Sequence, residues 1–155
     1  MTFVEQLKQM RACCDALEWV GDKTFAQVWK QCERADWMLW YCARILPRER
    51  VVLAACACAR TALKYVPAGE HRPLRAIETA ECWARGEVSL NDVRQSAAAA
   101  YAAAAATATA AAPAIATAAA YAAYAANANV AATRKSALRA MADLVRSIIK
   151  VEEFA

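Results

Sequence analysis

The chain has 155 residues, of which 60% are hydrophobic, and a formal net charge of +4. This length suits one domain with a buried core, and we predict a single all-helical domain over residues 1–155. A content of only 3 Gly and 4 Pro argues against a β-sandwich or a loop-rich scaffold, because those folds need frequent turn residues. The charge is too small for a typical nucleic-acid-binding surface, so we expect no nucleic acid as a partner.

The first two helices are predicted from their caps. Thr2–Glu5 has the pattern of a capping box and begins a helix, which either continues or restarts near Asp15. Gly21 ends this segment, since glycine favours the backbone conformation found after a helix C-terminus. Thr24–Gln27 is a second capping box and begins the second predicted helix.

The middle of the chain predicts three more helices. Asp36 is expected to cap a helix over Trp37–Leu46, which is apolar on nearly all sides and therefore central. Pro47 ends it, and the next helix is predicted over Arg48–Val66. Pro73 fits the first turn of a further helix that ends near Gly86.

The remaining chain is dominated by alanine. A capping box at Ser89–Asp92 begins a helix that runs into an uncharged tract from Gln95 to Thr133. Pro113 should divide or kink this tract, and in an antiparallel hairpin Tyr101 and Tyr124 would lie at the same level. A last helix is predicted from about Val130 to Glu152. The fold class is therefore an all-α, compact bundle of about seven to eight helices with an alanine-rich helical hairpin.

The alanine tract does not predict a membrane span. Between Ala97 and Asn129 only Ile115 is strongly apolar, whereas a spanning helix needs about 20 such residues. Alanine faces instead favour close helix packing, with a functional surface as the alternative.

No pattern in the sequence predicts catalysis. The chain has a single histidine, His71, so a histidine-based metal site or a Ser-His-Asp arrangement lacks its parts. Cys56 and Cys58 are two residues apart, unlike a redox Cys-x-x-Cys pair. We expect no enzyme activity, no metal and no cofactor. The odd number of cysteines, 7, and the absence of a signal-peptide pattern predict a reducing, cytoplasmic setting.

Cations near the fifth predicted helix form the first candidate site. Arg60 and Lys64 are four residues apart on one helix face, where like charges repel unless an anion or a carboxylate lies between them. Arg72 and Arg75 follow at the next helix N-terminus, which itself favours an anion, and Glu78 shares the face of Arg75.

Aromatic residues on the third predicted helix add walls to this candidate site. Trp37, Trp40, Tyr41 and Arg44 share one helix face. The predicted ligand- or partner-binding residues are Asp36, Trp37, Trp40, Tyr41, Arg60, Lys64, Arg72, Arg75 and Glu78. The alternative is an internal salt-bridge network among Asp36, Arg60, Arg75 and Glu78 that ties the helices together.

The last helix carries a second set of cations. Lys135, Arg139, Arg146 and Lys150 lie on one side of it. We interpret this side as solvated rather than as a track for phosphates, because no aromatic residues interleave with the cations.

Three segments carry a resemblance to a known family. Arg72–Glu78, followed by Trp83–Glu87 and preceded by Cys58–Lys64, resembles the pattern of the immunity-protein-five-like family, small cytoplasmic helical proteins of bacteria and phages. The resemblance is best from Asp36 to Gly86. His71 stands where family members usually have an acid, and the second arginine of the motif is displaced to Arg75.

The resemblance implies a binding activity without a defined target. The first hypothesis is a non-enzymatic immunity or inhibitor protein that binds a protein toxin or a defence protein. A second is a phage-type anti-defence protein that sequesters an anionic, nucleotide-like signalling molecule, with the arginines beside aromatic walls as its site. A third is a structural, self-associating helical module, which would be a homo-oligomer.

Overall fold

The computed structural model describes residues 1–66, 68–106 and 131–154, and in these ranges the chain is helical with no strand. This confirms the all-α class. The α-helices are α1 (Phe3–Gln9), α2 (Cys14–Val20), α3 (Phe25–Gln31), α4 (Ala35–Ile45), α5 (Arg48–Arg60), α6 (Arg72–Ala84), α7 (Leu90–Ala106) and α8 (Ala131–Ile148), with 3₁₀ helices at Leu63–Tyr65 and Val151–Phe154.

The first part of the alanine tract is helical, because α7 extends to Ala106. The predicted hairpin depends on its break at Pro113 and on Tyr124 lying opposite Tyr101, and both Pro113 and Tyr124 fall outside the residues whose structure is described. Among the described helices, none is long and apolar enough to cross a membrane.

The predicted capping boxes are present. The backbone N–H of Thr2 donates to the Glu5 carboxylate (2.7 Å), and Thr24 and Gln27 form the same reciprocal arrangement. At the start of α7 the Ser89 N–H donates to the Asp92 carboxylate (2.9 Å), while the Asp92 N–H donates to the Ser89 hydroxyl (3.3 Å). These contacts fix three helix starts because they satisfy N–H groups that have no partner within the helix.

The N-terminal segment forms two helices, α1 and α2, which settles the alternative left open by the sequence. Arg11 follows α1 with a φ of 60°, in the left-handed region. The N–H of Arg11 donates to the Lys8 carbonyl and that of Ala12 to the Leu7 carbonyl, each at 3.0 Å. This is the hydrogen-bond pattern of a Schellman motif, in which glycine normally occupies the left-handed position. Gly21 ends α2, as predicted.

Two predicted boundaries were wrong. Asp36 does not cap α4: the helix begins at Ala35, and the Asp36 carboxylate accepts from the Arg34 guanidinium at 2.6 and 2.8 Å. The ion pair with the nearby arginine replaces the capping bond. The helix predicted over Arg48–Val66 ends at Arg60 and continues, after a turn, as a short 3₁₀ helix.

The main core lies where α4, α5 and α8 meet. Its fully buried members include Cys42 from α4, Ala54 and Cys58 from α5, and Ala142 and Val145 from α8, each 0% exposed. Because α4 also supplies the buried Tyr41 to a second cluster with α1 and α2, its predicted central place is confirmed.

Aromatic rings close the N-terminal side of this core. The ring of Phe25 lies 4.9 Å from that of Phe154 and 5.5 Å from that of Tyr41, and Trp29 lies 5.0 Å from Phe154. Phe154 therefore ties the end of the chain to α3 and α4. Edge-on and tilted contacts of this kind add to the stabilisation from buried area.

Arg146 on α8 corrects the prediction of a solvated cationic side. Its side chain is only 22% exposed, and its guanidinium donates to the carbonyls of Trp29 (3.0 Å) and Cys32 (2.8 Å) at the C-terminal end of α3. It also pairs with Asp143 at 2.6 Å. The side chain satisfies carbonyls that have no partner within α3, and so joins α3 to α8.

We therefore expect Arg146→Met to lower the free energy of unfolding by about 1–3 kcal/mol, because two carbonyl acceptors lose a charged donor. Arg139→Met on the same helix is the matched control. Its guanidinium is 67% exposed and lies 3.4 Å from Glu33, so the change should cost less than about 0.5 kcal/mol. Urea denaturation measures both values, and equal losses would contradict the role given to Arg146.

Candidate functional site

The predicted cations near α6 are engaged mainly with carboxylates of their own neighbourhood. The Arg60 guanidinium binds the Glu81 carboxylate through two hydrogen bonds of 2.8 and 2.7 Å, which link α5 to α6. Arg72 Nε donates to Glu70 at 2.9 Å, and the Arg72 backbone N–H donates to the same carboxylate at 2.9 Å. Glu70 therefore occupies the helix N-terminus where the sequence suggested an anion.

The other predicted residues of this region lie on the surface. Arg75 and Glu78 are exposed on α6, and within the described ranges neither forms a salt bridge. Lys64 is exposed on the 3₁₀ helix after α5. The salt-bridge network predicted among Asp36, Arg60, Arg75 and Glu78 does not form. Asp36 pairs with Arg34 instead, and Arg60 pairs with Glu81.

The predicted aromatic residues belong to a different place. Tyr41 is buried among the rings of Phe3, Phe25 and Phe154, so it is a core residue. Its burial raises the pKa of the phenol. Trp37 and Trp40 are half-buried, and together with Tyr41 they line a cleft to which none of the predicted cations contributes.

This tryptophan-lined cleft has a volume of about 1000 Å³ and is lined by residues from α1 to α7. All five tryptophans of the chain contribute to it: Trp19, Trp29, Trp37, Trp40 and Trp83. Large concave surfaces with aromatic linings are the usual binding sites of proteins. The cleft is therefore the strongest candidate site among the described residues.

The two walls of the cleft differ in side-chain size. Most aromatic side chains of the lining come from α1 to α4, whereas α5, α6 and α7 contribute Trp83, several aliphatic side chains and six small residues. The small residues are Ala55, Cys56, Ala59, Ala76, Ala80 and Ala97. Because alanine side chains do not reach across, the space opposite the tryptophans stays open.

Charged groups are few in the cleft. Its charged lining consists of Arg11, Arg44, Arg48 and Asp36, and the last is already paired with Arg34. The Arg44 guanidinium lies 3.6 Å from the centre of the Trp40 ring and donates to the Trp40 carbonyl at 2.8 Å. The guanidinium of Arg34 lies in the same way over Trp37, at 4.4 Å. Such cation–π contacts hold both indole rings in place.

The cysteines have a structural role in the core. Cys56 faces the carbonyl of Ile77 on α6 and Cys58 faces that of Met141 on α8, so the two thiols point to different sides of α5. Burial raises the pKa of Cys56 to about 11 and those of Cys42 and Cys58 to about 12. These thiols are neutral near pH 7 and behave as small apolar side chains.

The described part of the chain contains no group of three or more His, Cys, Asp or Glu residues placed to hold a metal ion. His71, the one histidine, is exposed just before α6.

Sequence reasoning missed Arg11, Arg48 and Trp83 as members of one site. Arg44 shares a helical stripe with Trp37 and Trp40, and that spacing is the available signal. The other residues lie far apart in the sequence, and no local pattern predicts that Arg11 adopts a left-handed conformation at the edge of the cleft.

A family model described as Imm-5 like putative immunity protein matches residues 43–144. The chain belongs to this family. The match covers more than half of the chain and confirms the resemblance found in the motifs around α6. No curated protein and no solved structure matches the chain.

The residues matched by the Imm-5 like family model form only part of the cleft. Residues 43–144 include all of α5, α6 and α7, which form the wall opposite the aromatic one. The aromatic wall from α1 to α3, and most of α4, precede the matched region. The family match thus covers one wall of the cleft and leaves out most of the other.

The pair formed by Glu70 and Arg72 predicts a specific pH dependence. The hydrogen bond from the Arg72 guanidinium, followed by that from its backbone N–H, lowers the pKa of Glu70 to about 2, from an ordinary value of 4.5. A carboxylate with a lowered pKa stabilises the fold above its unfolded pKa, and this stabilisation is lost as the pH falls from 4.5 through 2.

NMR titration of the Glu70 side chain should therefore give a pKa near 2 in the native protein. In Arg72→Gln the pKa should rise towards 4.5, because the guanidinium is the largest cause of the shift. An unchanged pKa in the variant would show that the pair does not form in solution.

Proposed function

We propose that this member of the Imm-5 like family is a non-enzymatic immunity protein, which neutralises a protein toxin or a defence component by binding it. The observation that carries the proposal is the family match over residues 43–144. The cleft supports it as well, since a binding protein needs a concave surface on which aromatic side chains can be covered. We place this activity in the cytoplasm, as the cysteine content of the sequence predicts.

Two alternatives from the sequence remain predictions. Sequestration of a nucleotide-like anion at Arg60 and Arg72 would have to compete with Glu81 and Glu70, which already bind those guanidinium groups. Self-association of a structural module would make the chain a homo-oligomer, and its mass in solution tests that alternative directly. Neither has an observation that favours it over the binding of a protein partner.

The first test is co-purification. We expect the tagged chain, expressed in cells that naturally carry its gene, to retain one protein in a fixed ratio that mass spectrometry can identify. That protein, expressed alone, should arrest growth, and co-expression of this chain should restore growth.

Ile77→Asp provides the control for a folded binding surface. Ile77 is 2% exposed in the contact between α5 and α6, so a buried carboxylate there should unfold the domain. The variant should lose both capture and growth rescue. Rescue that persists in this variant, or a captured protein that is harmless when expressed alone, would contradict the proposal.

A further inference from the structure

The charges that line the tryptophan-lined cleft are unbalanced. Arg11, Arg44 and Arg48 line it, and within the described ranges none of the three forms a salt bridge. Asp36 is the one acidic residue of the described lining, and Arg34 already neutralises it. The cleft therefore presents three cations next to an apolar surface, and its own lining supplies no free carboxylate for them.

The position of Arg11 is a second, independent feature. Its φ of 60° places it in a conformation that side chains with a Cβ rarely adopt, at the turn where glycine is usual. Arginine at this position costs stability relative to glycine, and its side chain lines the cleft. A residue that is unfavourable for the turn but supplies a cation to the cleft points to a role in binding.

The rest of the lining selects the kind of ligand. The described lining contains no Ser, Thr, Asn, Gln or Lys side chain, and its one hydroxyl, that of Tyr41, interacts with Gln6. A nucleotide buried here would leave its sugar and base hydrogen-bonding groups with few partners, and each unpaired group costs free energy. Apolar side chains would find matching surface over most of the cleft.

We propose that the tryptophan-lined cleft binds an acidic, amphipathic segment of the protein partner. The apolar side chains of that segment pack between the aromatic wall of α1 to α4 and the largely apolar wall of α5, α6 and α7. Its Asp and Glu side chains pair with Arg11, Arg44 and Arg48, where bidentate arginine–carboxylate bonds fix its orientation. This inference rests on the proposed function and identifies the surface and the chemistry through which the partner is recognised.

A random peptide display library selected on the immobilised full chain tests this chemistry and does not require the partner itself. We expect the recovered peptides to be enriched in Asp and Glu together with large apolar residues. Selected peptides, made synthetically, should change the intrinsic tryptophan fluorescence in a saturable way, since all five tryptophans line the cleft. Their affinity should fall as salt is added.

Charge-reversed variants locate the binding. Arg44→Glu/Arg48→Glu should weaken binding of the selected peptides about tenfold or more, because like charges then face each other. The matched control is Arg75→Glu/Arg94→Glu, which makes the same change in net charge at exposed residues outside the cleft lining. It should change the affinity less than about twofold. Circular dichroism checks that both variants fold, and Arg44→Gln/Arg48→Gln should show an intermediate loss.

Three results would overturn the inference. Recovered peptides without acidic enrichment would exclude the chemistry, and equal losses in both double variants would exclude the location. The third result is a small anionic molecule that co-purifies with the native chain but not with the Arg44→Glu/Arg48→Glu variant. It would assign the cleft to a different class of ligand.

Failure of this inference can be distinguished from failure of the proposed immunity function. A captured toxin that binds Arg44→Glu/Arg48→Glu as well as the native chain would leave the immunity function intact and remove only the cleft as its site.

Discussion

Small side chains along α5 are the constraint on which the rest of the structure depends. This helix contacts α4, α6 and α8, and Ala54 and Cys58 at its centre are completely buried. Three neighbouring helices can pack closely around one helix only where its side chains are short. An interaxial distance of about 8 Å leaves no room for larger side chains between two helices. Ala54 and Cys58 face the cluster shared with α4 and α8, while Cys56 and Ala59 face α6. A larger residue at these positions would separate the helices and disturb both clusters at once.

The cleft also results from the small size of side chains on one of its walls. Bulky side chains are concentrated in α1 to α4 and at Phe154, where rings pack against rings and fill their own cluster. The opposing wall of α5, α6 and α7 includes five alanines, whose short side chains leave space between the two walls unfilled. Arg34 and Arg44 hold Trp37 and Trp40 at its edge through cation–π contacts. The surface is thereby ordered before any partner arrives, which lowers the entropy lost on binding.

Sequence patterns predicted the helices well and the site poorly, for different physical reasons. Capping boxes and apolar spacing are local signals, so the starts of α1, α3 and α7 and the fold class could be predicted. The prediction that Asp36 caps α4 was wrong because its carboxylate has two possible partners, a helix N–H and the Arg34 guanidinium. The sequence alone does not show which of the two it binds. The prediction that Arg146 is solvated was wrong for another reason. Helical spacing shows which side of α8 the residue occupies, but not that the C-terminal end of α3 packs against that side. The cleft joins residues from seven helices, a relation that only tertiary structure shows.

The proposed binding mode has the partner cover the tryptophan-lined cleft rather than the exposed outer face of α6. Hydroxyl-radical footprinting of the chain, alone and with its captured partner, tests this most directly, because indole rings react readily when exposed. We expect oxidation of Trp37, Trp40 and Trp83 to fall strongly in the complex, while oxidation of Cys82 near the end of α6, outside the cleft lining, stays unchanged. Protection of Cys82 with unchanged oxidation of the three tryptophans would contradict it.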